Sequence, residues 1–99
     1  MLLTIDVGNT NMVFSVFGGE TLRGSFRLTT VAGRTSDELG MDIWNQLSRL
    51  GIRLEDLADV IVSSVVPPVM AALTDALVRY LGKTPIVVDV DVDPGLPYG

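Results

Sequence analysis

Apolar and polar positions alternate at strand spacing through the first thirty residues and then switch to helical spacing. Leu2–Val7 and Met12–Phe17 are apolar runs of strand length, separated by the polar turn Gly8–Asn11. Gly18-Gly19 marks a second turn. Beyond it Leu22, Phe26 and Leu28 alternate with Arg23, Ser25 and Arg27, the pattern of a strand with one face in water. These three strands predict an antiparallel meander. Thr35-Ser36-Asp37-Glu38 then reads as a capping box, with a hydroxyl and a Glu three residues on to satisfy free N–H groups. Leu39, Ile43, Leu47 and Leu50 follow on one helical stripe, widened by Trp44, and Gly51 stops the helix. Val60–Val66 predicts a buried strand. Pro67-Pro68 opens a second helix carrying Met70, Leu73, Leu77 and Leu81 on one face, with Gly82 at its end. Ile86–Val88 begins a fifth strand, and the acidic, proline-containing segment after it reads as loop.

The predicted order is β-β-β-α-β-α-β, an α/β fold with a mixed sheet whose right-handed crossovers cover its faces. Trp44 and the methionines are expected in the core. At 99 residues, 47% of them hydrophobic and 19% charged, the chain is one small globular domain rather than a disordered segment. It lacks cysteine and histidine, which removes disulfides, thiolate metal sites and the commonest general base. Acid–base chemistry must therefore use carboxylates. The net charge of −5, with seven scattered Lys and Arg, argues against a nucleic-acid groove. No apolar run approaches the roughly 20 residues of a membrane span, and Asp6 interrupts the apolar start before a signal-peptide core forms. A cytoplasmic protein is the expectation. Asp89, Asp91 and Asp93 lack the glycine and terminal glutamate of a calcium loop and read as solvated charge.

Candidate chemistry concentrates in the stretch DVGNTN, Asp6–Asn11. Ile5 and Val7 share one face of the first strand, leaving Asp6 on the other at the strand's carboxyl end, where ligands of α/β sheets gather. A carboxylate there can hold Mg²⁺, which bridges nucleotide phosphates. Gly8 offers positive φ and close backbone approach. Asn9, Thr10 and Asn11 offer N–H and O–H donors to phosphate oxygens. The same residues also make a competent hairpin corner. Residue chemistry alone leaves both readings open.

DVGNTN resembles the first phosphate motif of the type III pantothenate kinases, members of the acetate- and sugar-kinase, chaperone and actin superfamily. Two further stretches agree with that family in order and spacing. FRLTTVAGRTSDE, Phe26–Glu38, is similar to its third-strand exit and helix start, and SSVVP, Ser63–Pro67, to its fourth-strand exit. The resemblance implies a ribonuclease H-like, actin-like ATPase fold, with residues 1–99 as the amino-terminal phosphate-binding half-domain and a second half-domain outside this chain. It implies ATP-dependent phosphorylation of pantothenate, the first step toward coenzyme A, with Mg²⁺ and a monovalent cation (K⁺ or NH₄⁺), in a homodimer.

Carried over residue by residue, Asp6 organises the metal, and Gly8, Asn9, Thr10 and Asn11 form the loop under the terminal phosphates of ATP. Tyr98 lies near the family's pantothenate-contacting tyrosine, though its spacing from Gly95-Leu96-Pro97 differs from the usual one. The family's catalytic base is the Asp of a Gly-Ala-Asp-Arg motif after the fifth strand, which this sequence does not contain. The 99 residues alone are therefore expected to be inactive. Arg34 is expected either to close on ligand or to pair with Asp37 or Glu38, and Ser63 and Ser64 either to line the cleft or to satisfy backbone groups. Two other readings compete: another kinase of the same superfamily, and a non-catalytic dimerisation or regulatory half-domain.

Overall fold

Residues 1–63 and 66–88 are described by a computed structural model. Strands β1 (Leu2–Val7), β2 (Asn11–Gly18), β3 (Thr21–Thr29), β4 (Asp59–Ser63) and β5 (Ile86–Val88) form one sheet in the order β3-β2-β1-β4-β5. The β1–β2 and β2–β3 pairs are antiparallel, and the β1–β4 and β4–β5 pairs are parallel. The mixed sheet is thus the expected one.

Helix α1 (Ser36–Arg49) joins β3 to β4, and α2 (Pro67–Ala76) joins β4 to β5. The capping box forms as predicted. The Glu38 N–H donates to Thr35 Oγ1 at 3.1 Å, and the Thr35 N–H donates to Glu38 Oε1 at 3.0 Å. Gly51 and Gly82 follow the helical segments with φ of 75° and 69°, the left-handed stop that glycine adopts without a Cβ penalty. The second helix is not α-helical to its end. Leu77–Leu81 form a wider π-helical turn before Gly82.

Period-2 alternation sorts the central strands. Leu3, Ile5 and Val7 of β1, Met12, Phe14 and Val16 of β2, and Val60 and Val62 of β4 are all buried on one face. Leu39, Ile43 and Leu47 of α1, with Val69, Leu73, Ala76 and Leu77 from the second helical segment, close on that face to make a single core. Phe14 and Phe26, opposite one another across β2 and β3, stack at 4.6 Å between ring centroids.

Three expectations need correction. Both helices cover the same face of the sheet rather than one face each. The β3–α1–β4 and β4–α2–β5 connections step in the same direction across the sheet, so right-handed crossovers bring both helices to one side. Val66 is not the end of the strand but the residue preceding α2, because Pro67 at the first helical position fixes where the helix starts, and the described part of β4 is Asp59–Ser63. Trp44 is 47% exposed and Met41 48% exposed, since the α1 stripe facing the sheet is already filled by Leu39, Ile43 and Leu47. Met12 is buried as expected, whereas Met70 is half-buried and Val69 takes the core position. Ser64 and Asp89–Gly99, with Tyr98, lie outside the described residues.

Candidate functional site

The strand register brings the candidate residues to one end of the sheet. Asp6, near the carboxyl end of β1, lies opposite Val13 of β2 and beside Ser63 at the end of parallel β4. Its neighbours Ile5 and Val7 are buried under the helices, so the exposed Asp6 carboxylate faces the side of the sheet that the helices leave free. The turn of residues 8–11 follows at once, with Asn9 and Thr10 exposed and Asn11 half-buried. Strand β3 ends at the same place, because Thr29 pairs with Asn11. Asp6, Gly8, Asn9, Thr10 and Asn11 are therefore contiguous in space, with Ser63 alongside.

Hydrogen bonds fix the shape of the turn. The Gly8 N–H donates to the Asn11 carbonyl at 2.9 Å. The Gly8 carbonyl accepts from the Thr30 hydroxyl at 2.8 Å, and the Thr10 carbonyl accepts from the Thr30 N–H at 2.8 Å. The reason for glycine at position 8 is space, not the positive φ expected from sequence. Gly8 is not among the positive-φ glycines, but a Cβ there would sit 3.0 Å from the Asn11 carbonyl oxygen. A larger residue would need the Asn11 carbonyl to give by a few tenths of an ångström.

The charge distribution leaves Asp6 available. Among the described residues, the ion pairs join Arg34 to Asp42, Arg53 to Glu55 and Asp56, and Arg79 to Asp37 and Asp75. None of them engages Asp6. Arg34 corrects a further expectation: its partner is Asp42, one turn beyond the Asp37 and Glu38 expected, so it ties the loop before α1 to the body of that helix. Shifted titrations also lie away from the turn. The Thr35 backbone N–H, with its hydroxyl, holds the Glu38 carboxyl below its ordinary value of 4.5. A hydrogen bond from the Ser36 hydroxyl lowers Asp75, and hydrogen bonding to the Asp37 carboxylate raises Tyr80. These groups join the first turn of α1 to the end of the second helical segment.

The donor set suits one kind of metal. No group of three or more carboxylates, histidines or cysteines that could cage an ion occurs among the described residues. A single free carboxylate beside hydroxyl and amide groups fits Mg²⁺, which keeps several waters and is commonly held by one or two carboxylates together with substrate phosphates. A shallow concavity of about 600 Å³ lined by Trp44, Ile52 and Leu54 lies beside the carboxyl-terminal half of α1, without any of these candidates. Thr30 was not singled out from sequence. Its signal is a hydroxyl pair, Thr29-Thr30, at a strand exit beside a turn, and only the sheet register connects it to Gly8.

The mixed five-stranded sheet with its two helices is the α/β arrangement found in proteins of the actin-like ATPase fold. A protein of that fold from Bacteroides thetaiotaomicron superposes with a TM-score of 0.65 at 8% identity, over 88% of this chain and 32% of that one. The ROK hexokinase of Thermus thermophilus gives 0.65 at 14% identity, over 89% of this chain and 34% of that one. Residues 2–99 match the sequence pattern of type III pantothenate kinases, and the chain belongs to that family. The type III pantothenate kinase of Syntrophotalea carbinolica is 44% identical over 98% of this chain, and that of Agathobacter rectalis 42% identical over 97%. The chain spans 38% and 37% of the lengths of these relatives.

Proposed function

We propose that this chain is the phosphate-binding half-domain of an enzyme that transfers the terminal phosphoryl group of ATP to the hydroxyl of pantothenate, opening coenzyme A synthesis. One observation carries the reading: a tight polar turn, held by three hydrogen bonds, follows a strand whose exposed carboxylate has no ion-pair partner among the described residues. Phosphoryl transfer depends chiefly on positioning and charge neutralisation. In this reading Gly8–Asn11 present amide and hydroxyl donors to the phosphates. Asp6 holds Mg²⁺, directly or through water, and Ser63 borders the same space. Bound there, Mg²⁺ neutralises charge on the phosphate oxygens.

The remaining assignments rest on family resemblance. They are the monovalent cation (K⁺ or NH₄⁺), a homodimer, a cytoplasmic location, Tyr98 as a pantothenate contact, and a catalytic base in the part of the relatives' length that these 99 residues do not span. The test is a coupled assay of ADP release in ATP, Mg²⁺ and K⁺, run on the 99-residue chain and on a protein of the relatives' length that carries it. Pantothenate-dependent turnover by the longer protein and none by the short one is the expected result. Turnover proportional to the concentration of the pure short chain would place the base within it. A longer protein active on another hydroxyl substrate would replace pantothenate while keeping the phosphate site.

A further inference from the structure

Thr30 makes two bonds to the turn from outside it, and both end on carbonyls of the proposed phosphate loop. In a closed two-residue hairpin, Gly8 and Asn11 would exchange both backbone bonds. Only one is made here: Gly8 N–H donates to Asn11, but Asn11 N–H does not return a bond to the Gly8 carbonyl. That carbonyl takes the Thr30 hydroxyl instead.

Peptide geometry converts this into an orientation. The C=O and N–H of one trans peptide point in opposite directions. A Gly8 carbonyl turned to the Thr30 hydroxyl sends the Asn9 N–H the other way. A Thr10 carbonyl turned to the Thr30 N–H does the same for the Asn11 N–H. We infer that Thr30 is the positioning residue of the phosphate loop: it draws the two carbonyls toward β3 and so presents the Asn9 and Asn11 amides to an anionic phosphate. The hydroxyl performs the half of this task that a side-chain substitution can remove, since the backbone bond to Thr10 survives any residue but proline. Free carbonyl oxygens facing a phosphate would repel it, so turning them away matters as much as presenting the donors.

The inference rests on the phosphate reading above, and the experiment separates the two. The ¹⁵N-labelled 99-residue chain is titrated with MgATP and with Mg²⁺ alone, as wild type, Thr30→Val and Thr30→Ser. Thr30→Val keeps the β-branched shape of a strand exit without the hydroxyl, and Thr30→Ser keeps the hydroxyl. Expected are MgATP-dependent shifts of the Asn9 and Asn11 amides in wild type. Thr30→Val should bind about tenfold more weakly, as befits loss of one buried-side hydrogen bond and its orientation. Thr30→Ser should stay within about twofold of wild type. Without nucleotide, the Asn11 amide of Thr30→Val should gain protection from hydrogen exchange as it closes on Gly8. Wild type and Thr30→Val binding MgATP equally, with native amide dispersion in both, would overturn the positioning role while leaving the phosphate site standing. Absence of any MgATP shift in folded wild type would overturn the phosphate site and this inference with it.

Discussion

Adding one methyl group at Gly40 sets a helix preference against a packing contact. Gly40 lies inside α1 and is buried. An alanine there, judged by helix propensity alone, would stabilise the protein by about 1 kcal/mol. The new Cβ would, however, stand 2.2 Å from Cδ1, 2.5 Å from Cγ and 2.6 Å from Cε1 of Tyr80. Carbon atoms in good contact are about 3.5–4.0 Å apart, so the ring must retreat by more than ~1 Å. Cγ is the ring atom nearest the backbone, and no rotation about χ2 clears it. The displacement also pulls the Tyr80 hydroxyl from Asp37 Oδ1, which it meets at 2.8 Å. Overpacking of this kind costs about 1–3 kcal/mol. Set against the propensity gain, Gly40→Ala should lose up to roughly 2 kcal/mol, or a Tm lowered by up to roughly 16 °C in a domain of this size. Thermal and urea unfolding followed by circular dichroism measure it. The decisive arm is the double-mutant cycle with Tyr80→Ala, where the methyl group finds room and Gly40→Ala should become neutral or stabilising. An equal effect of Gly40→Ala in both backgrounds would refute the argument.

Two further outcomes follow from the capping box and from Asp6. Glu38 titrates below its ordinary 4.5 in the folded chain, so the stability it adds is present above that value and is lost as pH falls through the lower folded value. The urea midpoint of wild type should therefore fall on acidification from just above 4.5 downward, and Glu38→Gln should show a smaller fall; parallel curves would remove Glu38 from the pH dependence. In a protein of the relatives' length, Asp6→Asn should lower kcat by roughly 10²-fold or more, with kcat/KM falling alongside and pantothenate binding changed by less than about threefold. Steady-state kinetics with pantothenate and MgATP decide it, and near wild-type turnover would return Asp6 to the role of a strand end.

The elements that local chemistry controls were legible in the sequence. The Thr35/Glu38 box and the glycines at 51 and 82 set the helix ends where expected. Alternation through β1 and β2 named the buried face, and with it the exposure of Asp6. What escaped depends on partners distant in the chain. Trp44 looked like part of an apolar stripe until the sheet showed how many α1 positions it could cover. The β-branched run through Val66 reads as strand to its end, yet Pro67 decides where the helix takes over. Arg34 has three carboxylates within eight residues, and spacing cannot choose Asp42 among them. Thr30 is invisible as a partner of Gly8 without the register of β2 on β3.

The position of β1 between β2 and β4 also implies an order of assembly. On one side β1 meets a strand reached through the three residues 8–10; on the other it meets β4, with Leu2 opposite Asp59 and all of β2, β3 and α1 in between. Hairpins close in about 1–10 μs, whereas pairings between remote segments must first overcome the entropy of the intervening loop. The meander should thus form early and β4 add late, with pulse-labelled exchange showing protection at Val13 and Phe26 before Val62. The turn of residues 8–11 and its Thr30 tether belong wholly to the early part. Ser63, which lies beside Asp6 across the β1–β4 pair, belongs to the late part, so the turn takes its shape before Asp6 gains its second strand neighbour.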